Sequence, residues 1–279
     1  MRRSPPPAGR GEVSIAPGPH GSVARRVYAT SPLRLLTPAN HGGAAWVYTS
    51  SFGGGLVDGD RIDLRLDVEA GAQAYVSTQS ATKVYRSPNG TCSQTEAAVG
   101  SRGLLVVAPD AVVPFAGSAY RQRQRFDIAA DSGLVVVETL LSGRAASGER
   151  WAFTSYESLI QVYVGGRLRI YDPLALRARD GGLAERFGRF DALAVAIVAG
   201  AGLREEIAEV LHIARTHDSD PRARPRRSAD LVLAASSLGD DACLVRVAAA
   251  SAERLARVLR DLLQFVPRHL EDDPWRRKW

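Results

Sequence analysis

Two cysteines in 279 residues, Cys92 and Cys243, far apart and outside any CxxC pair, leave no basis for a disulfide framework or a structural zinc site. Methionine occurs once and aromatic residues make up 7%, which argues against a Met-rich promiscuous groove. No stretch approaches the roughly 18 apolar residues needed to span a bilayer. Nor does the N-terminus read as a secretory signal, because Arg2 and Arg3 run into Pro5, Pro6 and Pro7 rather than an apolar run. A soluble, cytoplasmic chain without a membrane partner is the expectation. Catalytic signatures are missing too. There is no GxxxxGK[ST] loop, no GxSxG, no HExxH and no Gly-rich dinucleotide fingerprint. The five histidines are scattered, with His41, His212 and His217 showing no convergent pairing, so no tight metal site and no catalytic residue are expected.

What is present is a hydrophobic share of 45%, enough for a sizeable core, and a net charge of +6. Much of the basic excess sits in two Pro-rich runs, Arg2, Arg3, Arg10 and Arg222, Arg224, Arg226, Arg227, which read as solvated segments. Nucleic-acid binding would call for aromatics interleaved with arginine along one sheet face. Tyr85-Arg86 and Tyr120-Arg121 are isolated pairs, so nucleic acid is not expected as a partner.

Residues 1–12 read as a flexible leader rich in Pro, Gly and Arg. From there to about residue 175 the signal is β. In Arg61–Glu69, Ile62, Leu64, Leu66 and Val68 point one way while charged residues point the other, the period of a strand with one wet face. Similar runs occur at Gln73–Ser80, Leu104–Ala108, Gln122–Ile128, Leu134–Leu141, Trp151–Val164 and Arg167–Tyr171, separated by Gly-containing turns. A sandwich, a barrel and a stacked β-solenoid all fit that spacing. After residue 175 the pattern changes to strand, helix, strand, strand, helix. The strands are Asp191–Ala199, Leu231–Ala235 and Ala242–Ala248. One helix runs from Leu203 to about Ala214, and another starts at the N-cap Ser251 and stops at Pro267. The fold class expected is mostly β, α+β overall: a β body over residues 13–175 and an α+β tail over 176–279, within one domain.

Four polar segments interrupt this β structure: Gly53–Asp60, Ser77–Arg86, Pro109–Asp110 with Val113–Phe115, and Glu138–Arg144 with Gly148-Glu149. Glu138 lies between Leu134-Val135-Val136-Val137 and Thr139-Leu140-Leu141, where a carboxylate costs several kcal/mol unless it is paired or faces water. It either pairs with an arginine such as Arg144 or faces an internal wet channel. Asp58 and Asp60, beside Gly59, either shape a turn or offer hard oxygen ligands to a passing divalent cation.

In order and spacing these segments resemble the urease accessory protein D (UreD, also called UreH) family. The shared motifs are the GGG-x-V-x-GD turn at Gly53–Asp60, T-x-x-x-T-K-V-Y-R at Thr78–Arg86, the Pro-Asp and Pro-Phe strand at Leu104–Phe115, and E-x-L-x-x-GR-x-x-x-GE at Glu138–Glu149. The family's usual Leu-Pro-Gln is Ala108-Pro109-Asp110 here, an added negative charge. The resemblance implies a helix-like stack of β-strands with a small helical element, and a scaffold without catalysis. It implies binding to accessory protein F, through it to the nickel-carrying GTPase accessory protein G, and docking on apo-urease. It also implies a water-filled tunnel that conducts nickel in transit, with no tightly bound cofactor. Carried over by position, the nickel path would use Asp58, Asp60, Glu138 and Glu149, with Ser77, Thr78, Lys83, Tyr85, Arg86 and Arg144 nearby. A purely structural role in the activation complex, with no metal passage, is the alternative.

Overall fold

The computed structural model describes residues 8–217 and 229–276. It opens with the hairpin of β1 (Gly9–Gly18) and β2 (Gly21–Ala29), then β3 (Leu33–Leu36) and β4 (Ala45–Ser51). The chain next winds in coils that pass in turn through two facing sheets. The first coil holds β5 (Arg61–Val68), β6 (Gln73–Thr78) and the short β7 (Thr82–Val84). The second holds β8 (Thr91–Val99), β9 (Leu104–Val107) and β10 (Val112–Pro114), and the third β11 (Ala119–Ile128) and β12 (Gly133–Leu141). The hairpin of β13 (Ser155–Val164) and β14 (Arg167–Arg177) follows.

Stacked neighbours run parallel. β1, β5, β8, β11 and β13 do so in the seven-stranded sheet, and β4, β6, β9 and β12 in the ten-stranded one. This is the stacked, β-helix-like arrangement. It forms because each strand alternates: Leu64, Leu66 and Val68 are buried between the sheets while Arg65 and Asp67 face out, and each such aliphatic side chain contributes about 1.5–3 kcal/mol on burial. On the outer face, strand register lines up Glu12, Arg65, Glu96 and Arg125, charges of alternating sign.

The tail adds α1 (Leu183–Phe187), β15 (Ala192–Ala199), α2 (Arg204–His217), β16 (Leu231–Ser237), β17 (Ala242–Ala249), α3 (Ala252–Leu262) and α4 (Val266–Leu270). β15 pairs antiparallel with β12, so the tail continues the ten-stranded sheet, and α2 and α3 cover its outer face through Ile207, Val210, Leu255, Val258 and Leu262. Ser251 caps α3, its Oγ accepting from the Arg254 amide at 3.1 Å.

Several boundaries differ from expectation. Residues 1–7 of the expected leader and residues 218–228 of the Arg-rich loop lie outside the described residues. The rest of the leader is not free. Gly9 pairs with Ile62 and Glu12 with Arg65, because a parallel ladder to β5 satisfies the backbone whatever the local composition. The strand expected from Trp151 starts at Ser155. α2 and α3 are the two expected helices, but α3 stops at Leu262 and Pro267, expected to end it, sits in the first turn of α4, where a missing N–H costs no helical bond. α1 and α4 are additional, each five residues long, too short for helical periodicity to register. β1–β4, β7, β8 and β10 lie outside the runs expected as strands.

One irregularity positions the site. β9 pairs with β12 from Leu104–Gly133 to Val107–Val136, and β10 rejoins β12 only at Val112–Leu140. Between them the chain leaves the sheet at Ala108-Pro109-Asp110-Ala111. Pro109 has no N–H to give the ladder, and the Asp110 amide donates to Thr78 Oγ1 at 2.8 Å instead. The ten-stranded sheet is therefore split there.

Candidate functional site

A cavity of about 160 Å³ lies between the two sheets beside this split. Aliphatic side chains such as Leu64, Leu66 and Val76 form part of its wall, and hydroxyls, amides and the carboxyl groups of Glu138 and Asp110 form its polar part. β12 alternates so that Leu134, Val136, Glu138 and Leu140 share the inward face; Leu134 and Val136 enter the central core while Glu138 reaches the cavity. From the opposite sheet, register brings Ser93, Gln122 and Ser158 into one row and Thr95 and Gln124 into the next.

Glu138 is 6% exposed. Its carboxylate accepts from Tyr156 Oη at 2.7 Å, Ser158 Oγ at 2.7 Å and Gln124 Nε2 at 3.0 Å, and also from Gln122 Nε2. Gln122 Oε1 accepts in turn from Tyr120 Oη at 3.3 Å, and Tyr120 is linked to Ser93 at 2.6 Å. All of the groups that bond the carboxylate are neutral. Among the described residues, no ion pair involves Glu138. The other buried acid, Asp172, is paired with Arg246 across the sheets. Burial pushes the Glu138 carboxyl above its usual range, against the lowering effect of Ser158, Tyr156 and Gln122, and Asp172 pushes it further up. Burial likewise raises the Tyr120 and Tyr156 hydroxyls, so they remain neutral donors.

A buried carboxylate without a cation either holds a proton or attracts a positive ion. Its folded pKa exceeds its unfolded one, so the associated stability is complete below the ordinary carboxylate range and is lost as pH rises through the folded value. Glu138→Gln has no such titration. The variant is expected to melt above the parent near pH 8, with the gap closing toward about pH 5, by roughly 2–4 °C for each kcal/mol involved. Thermal unfolding of both proteins across that range checks this. Parallel pH profiles would show that Glu138 keeps one protonation state across this range and would overturn the expectation.

The anticipated residues divide into two groups. Ser77, Thr78 and Glu138 line the cavity. Ser77 Oγ donates to the Ala108 carbonyl at 2.7 Å. The pairing of Glu138 with Arg144 does not occur. Arg144 instead bonds Glu149, with Nε to Oε2 at 3.0 Å, and its guanidinium lies 4.4 Å from the Phe115 ring centroid. That bond to Arg144 holds the Glu149 carboxyl below its usual range, helped by the Ala116 amide at 3.2 Å. Asp58 accepts from the Asn89 amide at 2.8 Å and from its side chain at 2.7 Å, and Asp60 accepts from the Val57 amide at 2.8 Å. Both carboxylates therefore shape the turn.

Lys83 and Arg86 are exposed, and Tyr85 packs edge-on against Phe115 at 5.1 Å. Gly55 is held close to this segment. A Cβ there would sit 2.7 Å from the Lys83 carbonyl oxygen and the Tyr85 ring, and the Leu56 amide donates to that same carbonyl at 2.8 Å. Asp58, Asp60, Lys83, Tyr85, Arg86, Arg144 and Glu149 are thus not among the cavity's lining residues.

Sequence reasoning missed Thr95, Gln122 and Gln124, which do line it, and marked Asp110, also in the lining, only as an added negative charge. A signal existed for the glutamines. In Tyr120–Ile128 they alternate with arginines and fall on the same face as Tyr120, Phe126 and Ile128, an amide pair on a core face. Chemically, the cavity offers carboxylate, hydroxyl and amide oxygens, hard donors suited to weak, passing contact with a divalent cation. Among the described residues no three His, Cys, Asp or Glu side chains converge as a metal site. Cys243 is buried, its thiol pushed up to about 12 by desolvation. No helix among the described residues is long and apolar enough to cross a membrane.

Comparison with known proteins adds an independent finding. A family model described as UreD urease accessory protein matches residues 8–279. The chain is 46% identical over 272 residues to a urease accessory protein UreD of Sorangium cellulosum (strain So ce56), covering 98% of this chain and 85% of that one. It is 38% identical to one of Anaeromyxobacter sp. (strain Fw109-5), covering 97% and 89%. With urease accessory protein D of Arabidopsis thaliana it shares 33% identity over 87% of this chain and 91% of the relative.

Proposed function

The chain belongs to the UreD urease accessory protein family, and we propose that it serves urease maturation as a non-catalytic scaffold whose inter-sheet cavity carries nickel toward apo-urease. The observation that carries this reading is Glu138, a buried carboxylate ringed by neutral donors at the wall of an oxygen-lined cavity. Nickel here is cargo. A path built for transit needs ligands that bind weakly, and hard oxygens hold a borderline ion such as Ni²⁺ less firmly than imidazole or thiolate. Accessory proteins F and G and apo-urease are the proposed partners, F bridging to G. The relatives are named as accessory proteins rather than enzymes, in keeping with a role that moves or positions other molecules.

The revised placement of the candidate residues narrows the path. Glu138, Ser77 and Thr78 contact the cargo. Asp58, Asp60 and the Arg144–Glu149 pair hold together the loops beside the cavity. The experiment is reconstitution with purified apo-urease, the other accessory proteins and Ni²⁺, with and without this chain. Omitting it is expected to lower nickel incorporated per urease about tenfold or more. Equal incorporation without it would overturn the maturation role.

A further inference from the structure

The segment Thr82–Arg86 has a side that the cavity does not use. Leu56 bridges Val84 in parallel, and β7 pairs with β10 from Thr82 opposite Val112 to Val84 opposite Pro114. Leu56, Val84 and Pro114 take the buried face of this patch, so Lys83 and Val113, partners in register, take the outward one. Val57, 53% exposed, and Tyr85 join them by alternation. The Tyr85 ring rests against Gly55 and packs edge-on on Phe115, whose ring Arg144 covers. An apolar centre with cations around it results. Some charges here are already engaged: Arg144 by Glu149, Asp58 by Asn89, and Asp60 by the Val57 amide. Lys83 and Arg86 are not. Both are exposed, and among the described residues neither makes an ion pair. Arg86 lays its stem along Gly117, where a Cβ would stand 3.4 Å from it.

We propose that this face is a docking surface for a protein partner that brings an apolar side chain to Val57 and Tyr85 and carboxylates to Lys83 and Arg86. Interface centres collect aromatic residues and arginine, and charges at the rim select the sign of the partner. Lys83 and Arg86 lack carboxylates of their own to pair with, so the complement is acidic. Single-stranded nucleic acid would need open ring faces on which bases stack. The rings here are packed on Gly55, on Arg144 and on each other, which favours a protein.

The probes rest on the maturation reading and are purified accessory protein F and purified apo-urease, each titrated separately against the full chain. The chain carrying both Lys83→Glu and Arg86→Glu is expected to bind one of the two about tenfold more weakly or worse, with the other unaffected. Parent binding to that protein weakens between about 0.05 and 0.5 M salt, and binding by the charge-reversed chain changes less. Val57→Ser lowers the same affinity, Lys83→Arg retains it, and all variants melt with the parent. If the charge-reversed chain binds both probes as the parent does, the surface lies elsewhere and the maturation role survives. If the parent binds neither, the partner reading falls as well. Loss of both probes, or earlier melting, would make Lys83 and Arg86 structural residues and end the proposal. Charge reversal that acts while Val57→Ser does not would leave long-range steering in place of docking. An effect confined to a single-stranded oligonucleotide, or to self-association of the chain, would give the face to nucleic acid or to a second copy instead.

Discussion

Glu138→Gln is expected to reduce urease activation about tenfold or more while the chain still co-purifies with its accessory partners and apo-urease. The reason is electrostatic. A divalent ion entering the cavity sheds part of its water, and Glu138 is the buried charge available to compensate it. Glutamine keeps the length and hydrogen-bonding capacity of the side chain but supplies no charge. Losing about 1.4 kcal/mol of stabilisation on the path is already a tenfold effect, and a buried charge interaction exceeds that readily. Folding should not suffer, because hydroxyls and amides around the position can reorient toward a neutral partner. The measurement is nickel content and urea hydrolysis of urease matured with the variant, beside a pull-down of the complex. Full activation would leave the chain as scaffolding only.

Blocking the cavity without touching a charge should have a comparable effect. Thr95 lines the cavity from β8, with Leu64 on one side and Gln124 on the other in strand register. A phenyl ring at this position would take up a large part of a space of about 160 Å³. Thr95→Phe is therefore expected to cut activation about tenfold or more, with the melting temperature unchanged or raised, as cavity-filling substitutions commonly give. Thr95→Ser, which keeps the hydroxyl and opens space, should activate normally. The same two readouts, activation and melting, decide the matter. A stable, fully active Thr95→Phe protein would mean that the cation does not pass this point.

The two variants fail for different reasons, one by charge and one by bulk. Agreement between them would locate the passage more firmly than either alone. Raising Ni²⁺ should rescue neither.

Much of the fold was legible because its cores are built from strict alternation. Arg61–Val68 and Gly133–Leu141 declare themselves through residues that the structure buries. The same logic explains what was not legible. β8 reads Thr-Cys-Ser-Gln-Thr-Glu-Ala-Ala-Val, and its inward positions Ser93 and Thr95 are polar because they face the network and the cavity. The polar stretch of β8 interrupts its hydrophobic period, so this strand beside Glu138's network was hard to recognise. Glu138 stood out for the opposite reason, as a lone acid in an apolar run. Its partners did not, because Tyr156 and Ser158 come from β13 and Gln122 from the facing strand of its own coil, and only the parallel register brings them together. Asp58 and Asp60 looked like ligands in sequence. Their carboxylates are occupied by the amides of Asn89 and Val57, a choice made by turn geometry that spacing cannot reveal.

The charged rungs on the outer face have a consequence for the interior. Sliding β8 against β5 by two residues is the smallest error that keeps aliphatic side chains inward. It would set Asp63 or Asp67 beside Glu96 in place of Arg65, trading attraction for repulsion between neighbours. The solvent side thus proofreads the alignment of the coils. In doing so it keeps Ile62 beside Ser93 and Leu64 beside Thr95, so that mistakes in a lattice of surface charge would be felt as a misassembled cavity wall inside.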